Sequence, residues 1–233
     1  MAPSSTRHQN KLRVAVHATD LRDAKDLLRA NIDVFAHMIS DTDEELVSLF
    51  KQHPNTAVLS ALGGPHRAVY APWLNPVHPL ILETVLPEQI KRLQSRFPLT
   101  EPAQLKRSQD AWDRLARGIA QLSAAGVKIG VGTDGGGQQG DQFIGWTMHA
   151  ELENMVMAGI PPAKVLVAAT RTSAEILGLD DLGMVAVGKS ADFVVLDANP
   201  LDDITNTRKI SSVYLRGHRI DREKLRAGFV KRQ

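Results

Sequence analysis

The chain has 233 residues with 28 basic against 26 acidic side chains, a net charge of +2, too little to mark a nucleic-acid binder or an anionic-membrane binder. Apolar residues at 43% and charged residues at 23% are those of a soluble globular chain, and no apolar run approaches the ~18 residues of a membrane span. The absence of cysteine excludes disulfides and thiolate ligands, so any metal falls to His, Asp, Glu or a lysine-derived oxygen.

The start, Met1 to Asn10, is polar and lacks an apolar h-region, which reads as a cytoplasmic protein with no signal peptide. From Lys11 the pattern alternates. Val14-Ala15-Val16-His17-Ala18 predicts a strand, and Leu21, Ala24 and Leu28 behind a possible N-cap at Asp20 predict a helix. Ile32 to His37 is the next strand, followed by Thr42-Asp43-Glu44-Glu45 as a capping box before Leu46, Leu49 and Phe50. Thr56 to Leu62 is a third strand. A long amphipathic helix through Leu105, Trp112, Leu115, Ile119 and Leu122 then leads to a fourth, Gly126 to Thr133. Strands alternating with helices predict a parallel sheet with covered faces.

Between the third and fourth strands, Gly63 to Pro102 holds seven of the twelve prolines together with Tyr70 and Trp73, which predicts an ordered lid rather than a linker. After the fourth strand come Gly135-Gly136-Gly137, helices near Met148 to Met157 and from Pro161-Pro162 to Ala169, and a second capping box, Thr172-Ser173-Ala174-Glu175, with Gly178 as its C′ stop. Beyond it, Gly183 to Val187, Asp192 to Asp197 and Ser212 to Leu215, with a turn at Gly217-His218, predict a small β layer. The boundaries are therefore 1–10 polar segment, 11–180 α/β body, 181–220 β layer and 221–233 a solvated basic tail.

Three residues share one place in their units. His17 ends the first strand, His37 the second, and Asp134 follows the fourth; in parallel α/β folds reactive groups gather at that carboxyl edge. Two imidazoles and a carboxylate converging there would make a divalent metal site, most simply Zn²⁺, or a general-base cluster. The triple glycine lacks both the Lys-Ser/Thr of a P-loop and the spacing of a dinucleotide fingerprint, so it reads as backbone freedom beside Asp134. His149 with Glu151 and Glu153 does not set ligands at i and i+4, which places it at the surface or behind the site. His66 and His78, in the excursion, read as surface histidines ahead of the alternative of substrate contact, and His8, His53 and His218 as ordinary histidines without a role in the site.

At these residues the sequence resembles the amidohydrolase superfamily, specifically its imidazolonepropionase-like and prolidase-like members. The resemblance rests on Val14 to Ala18, Ala36-His37 with Thr42 to Leu46, Gly132-Thr133-Asp134, Ala168 to Gly178, and Gly188 to Asp197. It implies a (β/α)₈ barrel with a β-sandwich, one or two divalent metals, usually zinc, and hydrolysis of amide or related C–N bonds in a small-molecule substrate. His17 then corresponds to the histidine of the fifth barrel strand, His37 to that of the sixth, and Asp134 to the aspartate of the eighth. Under this resemblance His17, His37 and Asp134 are metal ligands, and Asp134 is also the catalytic acid/base.

The family carries a His-x-His pair on its first strand, and this chain contains none. Four barrel strands are visible where eight are needed, and ~250 residues is typical of such a barrel. The expectation is thus an incomplete TIM-type barrel (strands 5–8) followed by part of a small β-sandwich, lacking an amino-terminal half. Open sheet edges would then favour self-association. The competing reading is a catalytically inactive fragment serving as a folding or interaction module.

Overall fold

A computed structural model of the chain describes residues 10, 12–63, 74, 76–82, 85–135 and 143–230. His8, His66, Tyr70, Trp73, Gly136 and Gly137 lie outside the described residues.

The first unit is β1 (Ala15–Val16) and α1 (Leu21–Arg29). Asp20 caps α1 as expected, its carboxylate accepting the Arg22 and Asp23 N–H groups at 2.8 and 3.2 Å, and Ala24 and Leu28 form the buried stripe. The second unit is β2 (Val34–Phe35) and α2 (Glu44–Gln52). Here the cap is Asp43, whose side chain accepts from Leu46 N at 2.9 Å, and not Thr42. The reciprocal arm of the expected box is missing because Glu45 is drawn to Lys25 and Arg29 on α1, at 2.7 and 2.5 Å. β3 (Ala57–Leu59) follows, and the excursion contributes α3 (Pro79–Leu82) and α4 (Pro87–Arg96). α5 (Pro102–Ala124) then leads to β4 (Lys128–Gly130).

The four strands form one parallel sheet in the order β1-β2-β3-β4. A single register row, Val16, Phe35, Val58 and Ile129, crosses it and packs into the main apolar core with Leu46, Ile119, Leu122 and Met155. The paired strands are shorter than the apolar runs that announce them. Beyond β3 and β4 the ladder continues as single bonds, Ser60 N to Gly130 O and Ala61 N to Gly132 O, both 3.1 Å. The described part of the excursion builds its own apolar cluster from Leu74, Ile81, Val85, Ile90 and Leu93, closed by Trp146.

After β4 come α6 (Trp146–Met157), α7 (Pro162–Val167), a π-helical turn (Ala168–Thr172) and α8 (Ser173–Leu177). Thr172 is helical, φ −65° and ψ −40°, and caps nothing. Its expected box dissolves because the chain runs on as helix. Ser173 Oγ donates to Ala168 O at 2.7 Å, and Glu175 pairs with Arg171 at 2.8 Å. Gly178 ends α8 in the left-handed conformation, as expected. Arg13, just before β1, donates to Leu177 O at 2.9 Å and also to Ile176 O. Ser173, on the same short helix, accepts from Val131 N beyond β4 at 3.2 Å, so α8 touches both outer strands of the sheet.

The second sheet is antiparallel: β5 (Phe193–Leu196), β6 (Ile210–Leu215) and β7 (His218–Arg219), in that order. The β6–β7 turn is made by Arg216 and Gly217, φ 50° and 79°, one residue earlier than expected; two positive φ values match a type I′ hairpin. Gly183 to Val187 is not a strand. Positive φ at Gly183 and Gly188 bends the chain and leaves Val185 and Val187 exposed. Between β5 and β6 a 3₁₀ turn (Ile204–Arg208) sends Ile204 into the main core. The basic end forms α9 (Arg222–Val230), begun by Asp221, whose carboxylate accepts Lys224 N at 2.9 Å. Among the described residues no helix is long and apolar enough to cross a membrane.

Candidate active site

His17 and His37 emerge from the carboxyl ends of adjacent parallel strands with ring centroids 4.4 Å apart and planes at 72°, an edge-to-face contact. Their loops are tied together: Ala36 N donates to Val16 O at 2.9 Å and Ser40 N to Thr19 O at 2.7 Å. His17 is exposed and His37 half-buried.

Asp134 lies at the same edge beyond β4, three strands from β1 and two from β2. It is exposed and left-handed, φ 52°. The approach to it is held by hydroxyls: Ser173 Oγ accepts Val131 N, Ser60 Oγ accepts Gly132 N at 3.4 Å, and Thr133 Oγ1 accepts Gly135 N at 3.2 Å. A Cβ at Gly132 would stand 3.0 Å from Leu59 Cβ, so a larger residue there would press on β3. The structure thus brings His17 and His37 together and sets Asp134 apart on the same edge. Among the described residues no group of three His, Asp or Glu side chains lies close enough to hold one ion.

Sequence reasoning missed a half-buried polar cluster along α6. Arg208 pairs with Glu153, the two side chains 17% and 20% exposed, and its guanidinium lies 4.6 Å above the Trp146 ring. His78 packs against the same ring at 4.7 Å. It is not the plain surface histidine expected; burial first, then Arg208, pulls its pKa down. The i, i+3 and i+7 spacing of Trp146, His149 and Glu153 on one helix face was a usable signal for part of this cluster. Arg208 arrives from a turn 55 residues beyond Glu153, and nothing local announces it.

His149, on α6, is half-buried. Thr207 Oγ1 donates to Ile204 O at 2.9 Å, so at 3.0 Å it accepts the His149 Nδ1 proton. Burial, then Arg208, then His78 push the His149 pKa down to about 4, so the folded chain keeps this ring neutral. The unfolded chain binds its proton near pH 6.5, and stability from His149 is therefore lost as pH falls from about 6.5 towards 4. Glu153, raised by burial against the pull of Arg208, works in the opposite sense. We expect the melting temperature to drop by several degrees between pH 7 and pH 4.5, and the drop to shrink in His149→Gln. Scanning calorimetry at both pH values checks this; equal drops in the two proteins would remove His149 as the cause.

A 5-methylthioadenosine/S-adenosylhomocysteine deaminase of Desulforudis audaxviator is 40% identical over 95 residues, covering 37% of this chain and 22% of the deaminase. A candidate prolidase of Bifidobacterium longum superposes with a TM-score of 0.68 at 28% identity, covering 98% of this chain and 53% of that one. A Xaa-Pro dipeptidase crystallised with methionine in its active site shares the fold with a TM-score of 0.68 at 22% identity, over 93% of this chain and 46% of its own. The chain spans about half the length of these two structures. The amidohydrolase family profile matches residues 14–220, and the chain belongs to the amidohydrolase family.

Proposed function

We propose that this chain supplies the carboxyl half of a metal-dependent amidohydrolase that cleaves a C–N bond, amide, dipeptide or cyclic amide, in a small-molecule substrate. The observation that carries the reading is the His17–His37 contact at the carboxyl edge of a parallel sheet, in a chain whose family match spans residues 14–220. In this reading residues 11–180 are strands 5–8 of an eight-stranded barrel and 181–220 part of its β-sandwich. The parallel order β1-β2-β3-β4 and the short α8 touching both outer strands support a curved half-barrel. A further four strands complete it.

The donor chemistry fits a divalent ion: two imidazoles in contact suit zinc, with His17 and His37 as its holders here. Such an ion supplies Lewis-acid polarisation of the scissile carbonyl and a more acidic water. Asp134 takes a proton from the attacking water as its oxygen joins the carbonyl carbon, and delivers that proton to the nitrogen as the C–N bond breaks. The left-handed turn and the glycine after Asp134 leave its carboxylate exposed at the sheet edge for both transfers.

The test mixes the purified chain with an amino-terminal half that carries the family's His-x-His strand, and follows amine or ammonia release from Xaa-Pro dipeptides, N-acyl amino acids and adenine nucleosides with zinc present. Hydrolysis by the combination is expected. Zinc retained after desalting should be substoichiometric for the chain alone, because zinc sites take three or more protein ligands, and near one per complex for the pair. A folded complex that releases nothing across the panel would sink the hydrolase reading in favour of an inactive interaction module.

A further inference from the structure

Two non-glycine residues at neighbouring strand ends are left-handed: Ala61 beyond β3, φ 42°, and Asp134 beyond β4, φ 52°. Alanine has no side-chain group to compensate that conformation, so its surroundings must hold it. The Ala61 N–H donates to Gly132 O at 3.1 Å. The next N–H, that of Leu62, is taken at 2.8 Å by Oε1 of Glu151, which lies on α6, 89 residues along the chain. The Glu151 side chain is buried, the residue 2% exposed. Its second oxygen lies 3.4 Å from Asn154 Nδ2. A carboxylate at such depth is costly unless its bonds are made, and packing alone would be served by leucine or methionine. One turn earlier on the same helix, Thr147 Oγ1 lies 3.5 Å from where a Cβ on Gly135 would stand. Thus α6 bonds the Ala61–Leu62 turn through Glu151 and passes beside Gly135 at Thr147.

We infer that Glu151 is the positioning residue for Asp134, acting through the Ala61–Leu62 turn and Gly132. The role as stated for catalysis rests on the hydrolase reading above; the clamp itself does not. Glu151 bonds the Leu62 amide, the turn bonds Gly132 O, and Gly132 sets the direction in which Asp134 leaves the sheet.

Amide hydrogen exchange on the chain tests the clamp. In the unaltered protein the Leu62 amide, although outside any regular strand, is expected to be as protected as the amides of β3. Glu151→Leu should raise exchange at residues 60–62 and 131–135 at least about tenfold and leave residues 15–16 and 34–35 unchanged. Glu151→Gln keeps an oxygen for Leu62 and should stay near the unaltered rates. In the assembled enzyme Glu151→Leu should lower kcat with KM retained. An unprotected Leu62 amide in the unaltered chain would overturn the inference even if Glu151→Leu fails to fold. A uniform rise across the sheet, or Glu151→Gln as disruptive as Glu151→Leu, would do the same. If the unaltered complex turns over no substrate while the exchange pattern holds, the hydrolase reading falls and the clamp stands.

Discussion

Replacing Asp134 with Asn in the assembled enzyme should lower turnover by the ~10²–10⁴-fold associated with losing a general acid/base, and further if metal is also lost. Asparagine preserves size and hydrogen bonding and tolerates the left-handed backbone that this position adopts, φ 52°. A fall in rate would therefore report the carboxylate and not a collapsed turn. His149→Asn is the control. His149 bonds Thr207 from α6, and its loss should cost less than that of Asp134. Steady-state rates of the two variants decide the matter: unchanged turnover in Asp134→Asn, or greater damage in His149→Asn, would remove Asp134 from the mechanism.

The largest effect on stability is expected at Phe35→Ala. Phe35 is fully buried, sits in the second strand of the sheet with β1 and β3 on either side, and meets the Phe50 ring edge-on at 5.8 Å. Truncating a buried phenylalanine costs about 3–5 kcal/mol, through lost transfer energy and the cavity left behind. For a chain of this size that corresponds to a fall in melting temperature of roughly 6–20 °C. Calorimetry showing a shift below about 2 °C would mean that the register row through Val16, Phe35, Val58 and Ile129 does not organise the core as described.

Much of the α/β body was legible because its signals are local. Asp20 reaches N–H groups two and three residues ahead, and Gly178 needs only its own positive φ. The apolar runs of β1 to β4 and the stripe of α5 depend on periodicities of two and 3.6 residues. The candidate residues His17, His37 and Asp134 were legible for the same reason: each is named by its place at the end of a strand.

Two of the misreadings lie where a distant partner competes with a local one. Thr42 to Glu45 has the letters of a capping box, but Lys25 and Arg29, brought up by α1, hold the Glu45 carboxylate, and Asp43 takes over the cap. Thr172 to Glu175 has the same letters inside a continuous helix, because Ser173 bonds Ala168 O and Val131 N instead of starting a new one. Val185 and Val187 have strand propensity but, among the described residues, no strand pairs with them, and the glycines at 183 and 188 turn the chain away.

By itself, then, the sequence determined the alternation of strand and helix, the carboxyl-edge position of His17, His37 and Asp134, and the family. Each of these is written in spacing over a few residues or in contiguous motifs. Only the tertiary structure decided that His17 and His37 touch while Asp134 stands three strands from the one and two from the other, that Arg208 and Glu153 share a half-buried niche, and that Glu151 holds the Leu62 amide. Those contacts join residues 20 to 89 positions apart. Hydrogen bonds and ion pairs of that range are set by how the helices pack on the sheet, which no local pattern encodes.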